Sequence, residues 1–486
     1  MANIIDKIVG FVSPAAGLRR HSARQLLQRA YEGANQSDGW RPRRPGASAN
    51  TDHAGDARTL RTRARALSQN VPYIARGLAS HTANIIGTGI IPKWLGPEAK
   101  TYAQLWKDWG PQADADGSLD IYGLQDLAHL TAQRDGEVLI RIRQRRKEDG
   151  LAVPLQFQVL EIDWLDDSRH GRIDGYDVIQ GKAYDALGRV MGYYLFDQHP
   201  GDIVLPRTRS GGSHFVPASS IIHYFAKERP GQGRGFPRIA PVIARVRDLS
   251  LYEDAELNRK NLESRLGVLA SGDINALADG EGTKAQEDGR MLGDLPSGGL
   301  MQVPTGSNLT VVEPKAVPGY VDYVRQALHL IAAGCGWTYE MMTGDVSQVN
   351  FSSARIRRLD YKREAEREQW LHVIPCLISS MVRAFVDAAE LAGLVRKADY
   401  SVRYATPKWE YTNPRDDVKS DLEEIAGGLS TFSEKLRQRG YDPEEVVQEM
   451  KEDVDRLRNA GLLDVLFMMM KVKGATDTST ESSASS

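Results

Sequence analysis

Cysteine is nearly absent: the 486 residues hold two, Cys335 and Cys376, 41 positions apart. That excludes a disulfide framework and a CxxC metal or redox motif, and makes a reducing compartment the natural expectation. Catalytic signatures are missing too, with no GxxxxGKS/T loop, no HExxH helix and no GxSxG elbow. The ten histidines are scattered without ligand spacing. Long apolar runs are lacking as well. The opening "MANIIDKIVGFVSPAAGLRR" is broken by Asp6 and Lys7 and met by Pro14, a poor secretory signal, and no window offers the roughly 20 uncharged apolar residues of a membrane span. A soluble intracellular protein with no membrane partner is expected. Net charge of one sign is also scarce: 62 basic against 64 acidic residues leave -2, which excludes a protein that coats nucleic acid over its whole surface. The average hides asymmetry, for Arg19 to Arg65 contains eleven arginines and four acids, while Asp416 to Asp455 is rich in Asp and Glu.

A chain of this length, 41% hydrophobic, can bury two or three cores. Residues 19–32 read as a helix, followed by the loop or arm "GANQSDGWRPRRPGASAN" with Arg41, Arg43 and Arg44. A helix is expected from Asp56 to Asn70, interrupted at "NVPY" and resumed to Gly87, with "TGIIPKW" starting an extended segment. Two helices, "TYAQLWKDWG" and "DIYGLQDLAHLTAQRDG", precede strands in "EVLIRIRQRR", "LQFQVLEIDWLDD", "GYDVIQGKAYDALGRVMGYYLFDQH" and "SSIIHYFAKE". Residues 100–230 therefore read as α+β with a mainly antiparallel sheet. From Pro237 the period becomes helical for about 30 residues, a rod of roughly 45 Å that needs a partner along its length. Residues 271–319 form an irregular Gly/Pro-rich insert with short strands "GLMQV" and "LTVVEP". Helical pattern returns in "GYVDYVRQALHLIAAGCG" and again from Phe351, where Pro375 should kink or end the helix. Asn413–Pro414 and Asp442–Pro443 announce two further helices, "AGG" closes the first at Gly427, and "VLFMMM" precedes a polar Ser/Thr tail in which disorder is the default.

Candidate chemistry is thin. "GQGRGF", Gly231 to Phe236, has the letters of a dinucleotide loop but no βαβ setting, and reads better as a conformational loop between sheet and long helix. Asp163, Asp166 and Asp167 in "EIDWLDD" could hold a hard metal ion, against the simpler reading of a strand running into a turn. A metal-dependent nuclease or phosphotransfer enzyme would use these three; a monomeric DNA-binding module would use the 41–65 arm and the basic helix that follows Phe351.

That helix is the most unusual stretch: "MTGDVSQVNFSSARIRRLDYKREAEREQW", where a tight polar turn opens into a run containing Arg355, Arg357, Arg358, Lys362, Arg363 and Arg367. At 100° per residue Phe351, Ala354, Tyr361 and Ala365 share one arc, and Ile356, Leu359 and Trp370 another. Two apolar arcs imply two packing partners, which suits a subunit wedged between neighbours.

The run "YEMMTGDVSQVNFSSARIRRLDYKRE" resembles the most distinctive motif of the lambda-like family of bacteriophage portal proteins. It carries Tyr339, Glu340, Thr343, Gly344, Asp345, Ser347, Asn350, Phe351, Ser352, Ser353 and Arg355 in the family's order. "ARALSQNVPYIARGLASHTANIIGTGI", "ASSIIHYFAKERPGQGRGFPRIAPVIARVRDLSLYEDAEL" and "WEYTNPRDDVKSDLEEIAGGLSTFSEKLRQRGYDPEEV" agree with it, so that the likeness runs over about 15–455. The resemblance implies a closed ring of about twelve subunits, with a wing, a two-helix stem, a clip and a helical crown. On that plan 1–55 is an N-terminal helix and arm, 56–236 the wing, 237–270 and 318–334 the stem helices and 271–317 the clip. The candidate tunnel loop is 335–350, the wing helix and return 351–410, the crown 411–470 and the tail 471–486. The motif residues, with Arg358, would be inter-subunit or channel-proximal. No catalysis and no cofactor are implied. The implied place is the portal vertex of the virion, reached by assembly in the host cytoplasm, and the implied partners are scaffold, major capsid protein, terminase large subunit, head-completion or tail adaptor protein, and duplex DNA in transit.

Overall fold

Strand β2 (Glu137–Gln144) shows how the chain is layered, because Val138, Leu139 and Ile140 are all fully buried. Alternation sends Val138 and Ile140 to one face and Leu139 to the other, so both faces of this strand are covered. In the computed structural model, residues 46–202, 212–264, 268–271, 308–311, 319–347, 350–396, 400–407, 409, 414–438, 441 and 443–462 are described. The expected helix at 19–32, Arg41, Arg43 and Arg44, "GLMQV", "VLFMMM" and the tail lie outside the described residues.

Helix α1 (Ala49–Asn70) begins seven residues before the expected start, since Ser48 caps it through the Thr51 N–H. Pro72 at the first position of α2 (Pro72–Ile85) makes the break. Strand β1 (Ile91–Leu95) pairs antiparallel with the distant β12 (Ser401–Ala405). Helices α3 (Ala99–Trp109) and α4 (Ile121–Asp135, capped by Asp120) lead into β2. There Gly136, at φ 97°, lies so close to Phe236 and Pro237 that a Cβ would sit 2.6 Å from backbone. Strand β2 is the centre of a three-stranded antiparallel sheet with β3 (Leu155–Glu161) and β9 (Ile221–Phe225). The second sheet is an antiparallel meander of β4 (Gly171–Ile173), β5 (Tyr176–Ile179), β6 (Lys182–Tyr184), β7 (Val190–Leu195) and β8 (His214–Pro217). The α+β expectation with antiparallel pairing holds, in two sheets instead of one.

The long helix expected over 237–270 is shorter. A 3₁₀ turn at Ala240–Val242 precedes α5 (Ile243–Ser264), and Val268–Ser271 is instead strand β10, paired with β11 (Asn308–Val311). Twenty-two residues make a rod of about 33 Å. It packs antiparallel to α6 (Tyr320–Cys335): Tyr252 meets Tyr323 and Tyr320 at one end, and Val242 fits against Gly334 at the other. Beyond α7 (Tyr339–Thr343) comes α8 (Phe351–Glu368), after which α-helical geometry is interrupted around Pro375 while the chain stays helical. Residues Gln369–Ile378 are π-helical and run into α9 (Ser379–Leu391), with the Ser379 N–H reaching back five residues to Ile374 O. The wider turn absorbs the N–H that proline lacks.

The run 353–391 is long and apolar enough, by length and composition, to cross a membrane. Its Val373, Ile374, Leu377, Ile378, Val382 and Phe385 are spent in the main core, as in a core helix of a globular protein. That core is aromatic, with Phe385 held by Trp106 and Trp109 at ring distances of 5.0 and 4.9 Å. Three further helices, α10 (Pro414–Ala426), α11 (Phe432–Gln438) and α12 (Pro443–Asn459), follow β12, and proline opens two of them as the sequence indicates.

Candidate functional site

The motif folds as a chain of caps. Thr338 accepts the Met341 N–H to start α7, and Gly344 ends it at φ 77°, donating its N–H to Glu340 O. Thr343 Oγ1 donates to Tyr339 O and accepts from the Asp345 N–H. The Tyr339 hydroxyl donates to Asp345 Oδ2 at 3.1 Å, and the Ser347 N–H to Oδ1 at 2.9 Å. Bonds from Ser347 and Tyr339 hold the Asp345 carboxyl below its usual range. Asn350 caps α8, its Oδ1 accepting the Ser353 N–H at 2.8 Å while its carbonyl accepts the Ser353 hydroxyl. The side chains of Phe351 and Ser352 lie outside the described residues.

This turn is fixed on three sides. Met342 and Trp337 are buried among α1, α2, α5 and α6, with the indole against Gly77. Tyr339 stacks on His329 at 4.2 Å, Arg76 Nε donates to Met341 O, and Glu340 pairs with Arg357 of α8. Between α7 and α8 lies a groove of about 490 Å³ lined by Glu340, Met341, Val346, Arg357, Arg358 and Trp409, among others. Among the described residues of 335–350, Gly344, Val346, Ser347 and Asn350 are exposed and the rest are wholly or partly covered.

Helix α8 separates its two arcs. Tyr361 and Ala365 are buried and Ala354 half-buried, whereas Ile356, Leu359 and Trp370 are 61, 49 and 51% exposed. Leu371 beside them is exposed too. Among the described residues, this face is left uncovered.

Buried charge escaped the sequence reading. Glu137, fully buried, takes two bonds from Arg234 Nε (2.9 and 2.8 Å), faces His223 Nε2 at 2.9 Å and His53 Nε2 at 3.5 Å, and accepts the Gly235 N–H. Burial alone would raise its pKa, yet Arg234 and the imidazoles hold it well below the usual carboxylate range. Burial pulls Lys182 beside it down to about 7. "GQGRGF" is thus a connecting loop between β9 and α5 whose Gln232 and Arg234 are buried, at 4 and 3% exposure, with Glu137 against Arg234 where a phosphate-binding loop would need open space.

The three candidate acids do not converge. Arg61 and Arg65 bind Asp163 at 3.0 and 2.6 Å and lower its pKa against the effect of burial. Asp166 is taken by Ser168, Ser213 and Arg169, and Asp167 is exposed. Asp163 instead gathers with Glu161 and His199, but Arg65 and Arg134 pair with those carboxylates. Within the arginine-rich 41–65 stretch, Arg61 and Arg65 are engaged in ion pairs of this chain from α1, while Arg41, Arg43 and Arg44 lie outside the described residues.

Over residues 33–369, more than half of the chain, the sequence matches the family described as "Phage portal protein, lambda family". The chain belongs to the lambda family of phage portal proteins. This portal chain is similar to the probable portal protein of Halomonas phage phiHAP-1, at 24% identity over 481 residues, covering 93% of this chain and 91% of that one. It is likewise 24% identical to the portal protein of Escherichia phage N15, covering 88 and 89%. Among solved structures it is similar to a chain of "Virion of native gene transfer agent (GTA) particle", with TM-score 0.43, 17% identity and coverage of 82 and 95%. Phage portal proteins are a non-catalytic family.

Proposed function

We propose that the chain works as one subunit of a closed ring of about twelve copies at a single capsid vertex, a channel for duplex DNA in packaging and ejection. The observation that carries this is the exposed apolar arc of α8, Ile356, Leu359 and Trp370, opposite an arc already spent on the chain's own core. A face of this kind in a protein of neutral net charge calls for a lateral neighbour. The α5/α6 hairpin has the same property, with Leu251, Leu257, Val321 and Tyr323 exposed.

In this reading α5 and α6 form the stem, the segment between β10 and β11 the clip, the two sheets the wing, and α10–α12 the crown. Gly344 to Ser347 supply the tip of a tunnel loop, and α8 crosses beside the channel with Arg355 and Arg358 near the subunit boundary. The ring nucleates procapsid assembly with scaffold and major capsid protein, docks the terminase large subunit, and later holds head-completion or tail adaptor proteins. The balance of 62 basic and 64 acidic residues suits a channel, because each phosphate neutralised adds salt-dependent affinity that would brake moving DNA.

The test is the double substitution Ile356→Asp and Leu359→Asp. Both side chains are exposed in the single chain, so its folding should change by less than about 0.5 kcal/mol. Sedimentation should show subunits where the parent gives rings. Rings at parental yield would sink the assignment of this face.

A further inference from the structure

Three helices far apart in the chain converge on one carboxylate. His81 of α2, His129 of α4 and Glu368 at the end of α8 place His81 Nε2 3.3 Å and His129 Nε2 3.8 Å from the Glu368 oxygens, and the rings lie 5.9 Å apart. The three ligand atoms all fall within 4.8 Å of one another. Both imidazoles are buried, at 1 and 0% exposure, and neither Nε2 has a hydrogen-bond partner. Each Nδ1 is engaged by a tyrosine hydroxyl, Tyr361 on His81 at 2.9 Å and Tyr224 on His129 at 3.0 Å. Two unpartnered nitrogens turned toward one carboxylate are a costly arrangement in a protein interior.

We propose that His81, His129 and Glu368 form a binding site for a divalent transition-metal ion of the zinc class, which ties α2, α4 and α8 together. Tetrahedral coordination with bonds of about 2.0 Å sets ligand atoms about 3.3 Å apart, the separation of His81 Nε2 from Glu368 Oε2, and the His129 ring must close in by some tenths of an ångström to join them. Tyr361 and Tyr224 fix the rings from outside, as outer hydrogen bonds do for metal-bound histidine. Gln133 Nε2 and Arg238 Nη1 hold the carboxylate at 2.9 and 3.0 Å. An ion bound here competes with Arg238 for the Glu368 carboxylate, so that pair must loosen as the ion enters. A cavity of about 720 Å³ lined by His81, Tyr224, Arg238, Glu364 and Glu368 reaches the cluster from the His81 and Glu368 side and supplies an entry path.

The test uses the full-length chain without a histidine tag, stripped by chelator and titrated with Co²⁺ followed by absorption, then with Zn²⁺ in competition. One equivalent of Co²⁺ per chain with tetrahedral d–d bands displaced by Zn²⁺, and a raised Tm, are expected. Glu368→Gln and His81→Gln should weaken binding at least about a hundredfold, Tyr361→Phe about ten- to a hundredfold, and His199→Gln not at all. If the ligand variants do not fold, Tyr361→Phe, which loses only a hydroxyl, decides. No stoichiometric uptake by the parent chain, or parental affinity in Tyr361→Phe, overturns the proposal; loss confined to His199→Gln assigns the ion to Glu161, Asp163 and His199.

Discussion

Glu137→Gln strikes the centre of the buried charge cluster. The parent carboxylate is fully buried and serves Arg234, His223 and the Gly235 N–H, with His53 at 3.5 Å and Arg61 at 3.9 Å. The amide keeps the volume but removes the charge, leaving Arg234, only 3% exposed, without a counter-ion. Breaking one side of a buried ion pair costs about 3–5 kcal/mol, and the lower end, about 3, applies because the amide retains some hydrogen bonds. Replacing both members relieves that penalty. Arg234→Met in the Glu137→Gln background should therefore cost about 2 kcal/mol less than the sum of the single changes. The assay is urea unfolding followed by fluorescence, read as midpoint shifts at constant slope. A single-mutant cost below about 1 kcal/mol, or strict additivity in the cycle, would refute the claim that this cluster locks the 231–236 corner to β2.

Other outcomes follow from the same coordinates. Burial, with Lys182 nearby, holds His223 at about 4 against an ordinary 6.5, so the unfolded chain binds a proton in that window and the folded chain does not. Stability should fall by about 3 kcal/mol from pH 6.5 to pH 4, as acid titration of the Tm would show, and His223→Gln should flatten the fall. Phe385→Ala removes a fully buried ring from between Trp106 and Trp109 and should cost about 3–5 kcal/mol in equilibrium unfolding, with a value under about 1.5 contradicting the core assignment. Gly344→Ala places a Cβ at φ 77° and 3.1 Å from the Arg76 guanidinium, and should lower stability by about 1 kcal/mol while increasing proteolytic cleavage near Val346. Arg355→Glu, on the exposed side of α8, should reduce ring yield or packaged DNA with little change in subunit Tm; normal values of both would remove Arg355 from the interface.

Helix boundaries were legible where chemistry marks them. Pro72, Pro414 and Pro443 each begin a helix, and Gly344 and Gly136 end theirs in left-handed geometry. The alternation in "EVLIRIRQ" gave strand β2, although period alone could not show that Arg141 and Arg143 lie beyond the stretch covered on both faces. The two arcs of α8 were readable from spacing, and one is indeed covered and the other bare. Pro375 does mark an interruption of α-helical geometry, but its local rule could not show that the chain continues through a π-helical stretch into α9. The buried ion clusters were hidden for a different reason. A charged residue in sequence reads as solvent-facing, and Glu137 differs from that default only through Arg234, 97 positions away. Glu368 did carry a local sign: it stands seven residues after Tyr361 and three after Ala365, on the arc that faces the core. The motif's Tyr339, Thr343, Asp345, Ser347 and Asn350 turned out to cap and brace the α7–α8 turn, a role their side-chain types permit but their order alone does not specify.

The central claim is a closed ring, and native mass spectrometry of the purified full-length chain, with negative-stain images of the same sample, tests it most directly. The account predicts a single assembly near twelve times 53.8 kDa with rotational symmetry and a central opening. A monomer that persists at physiological salt and high concentration, with its α8 arc still bare, would contradict it.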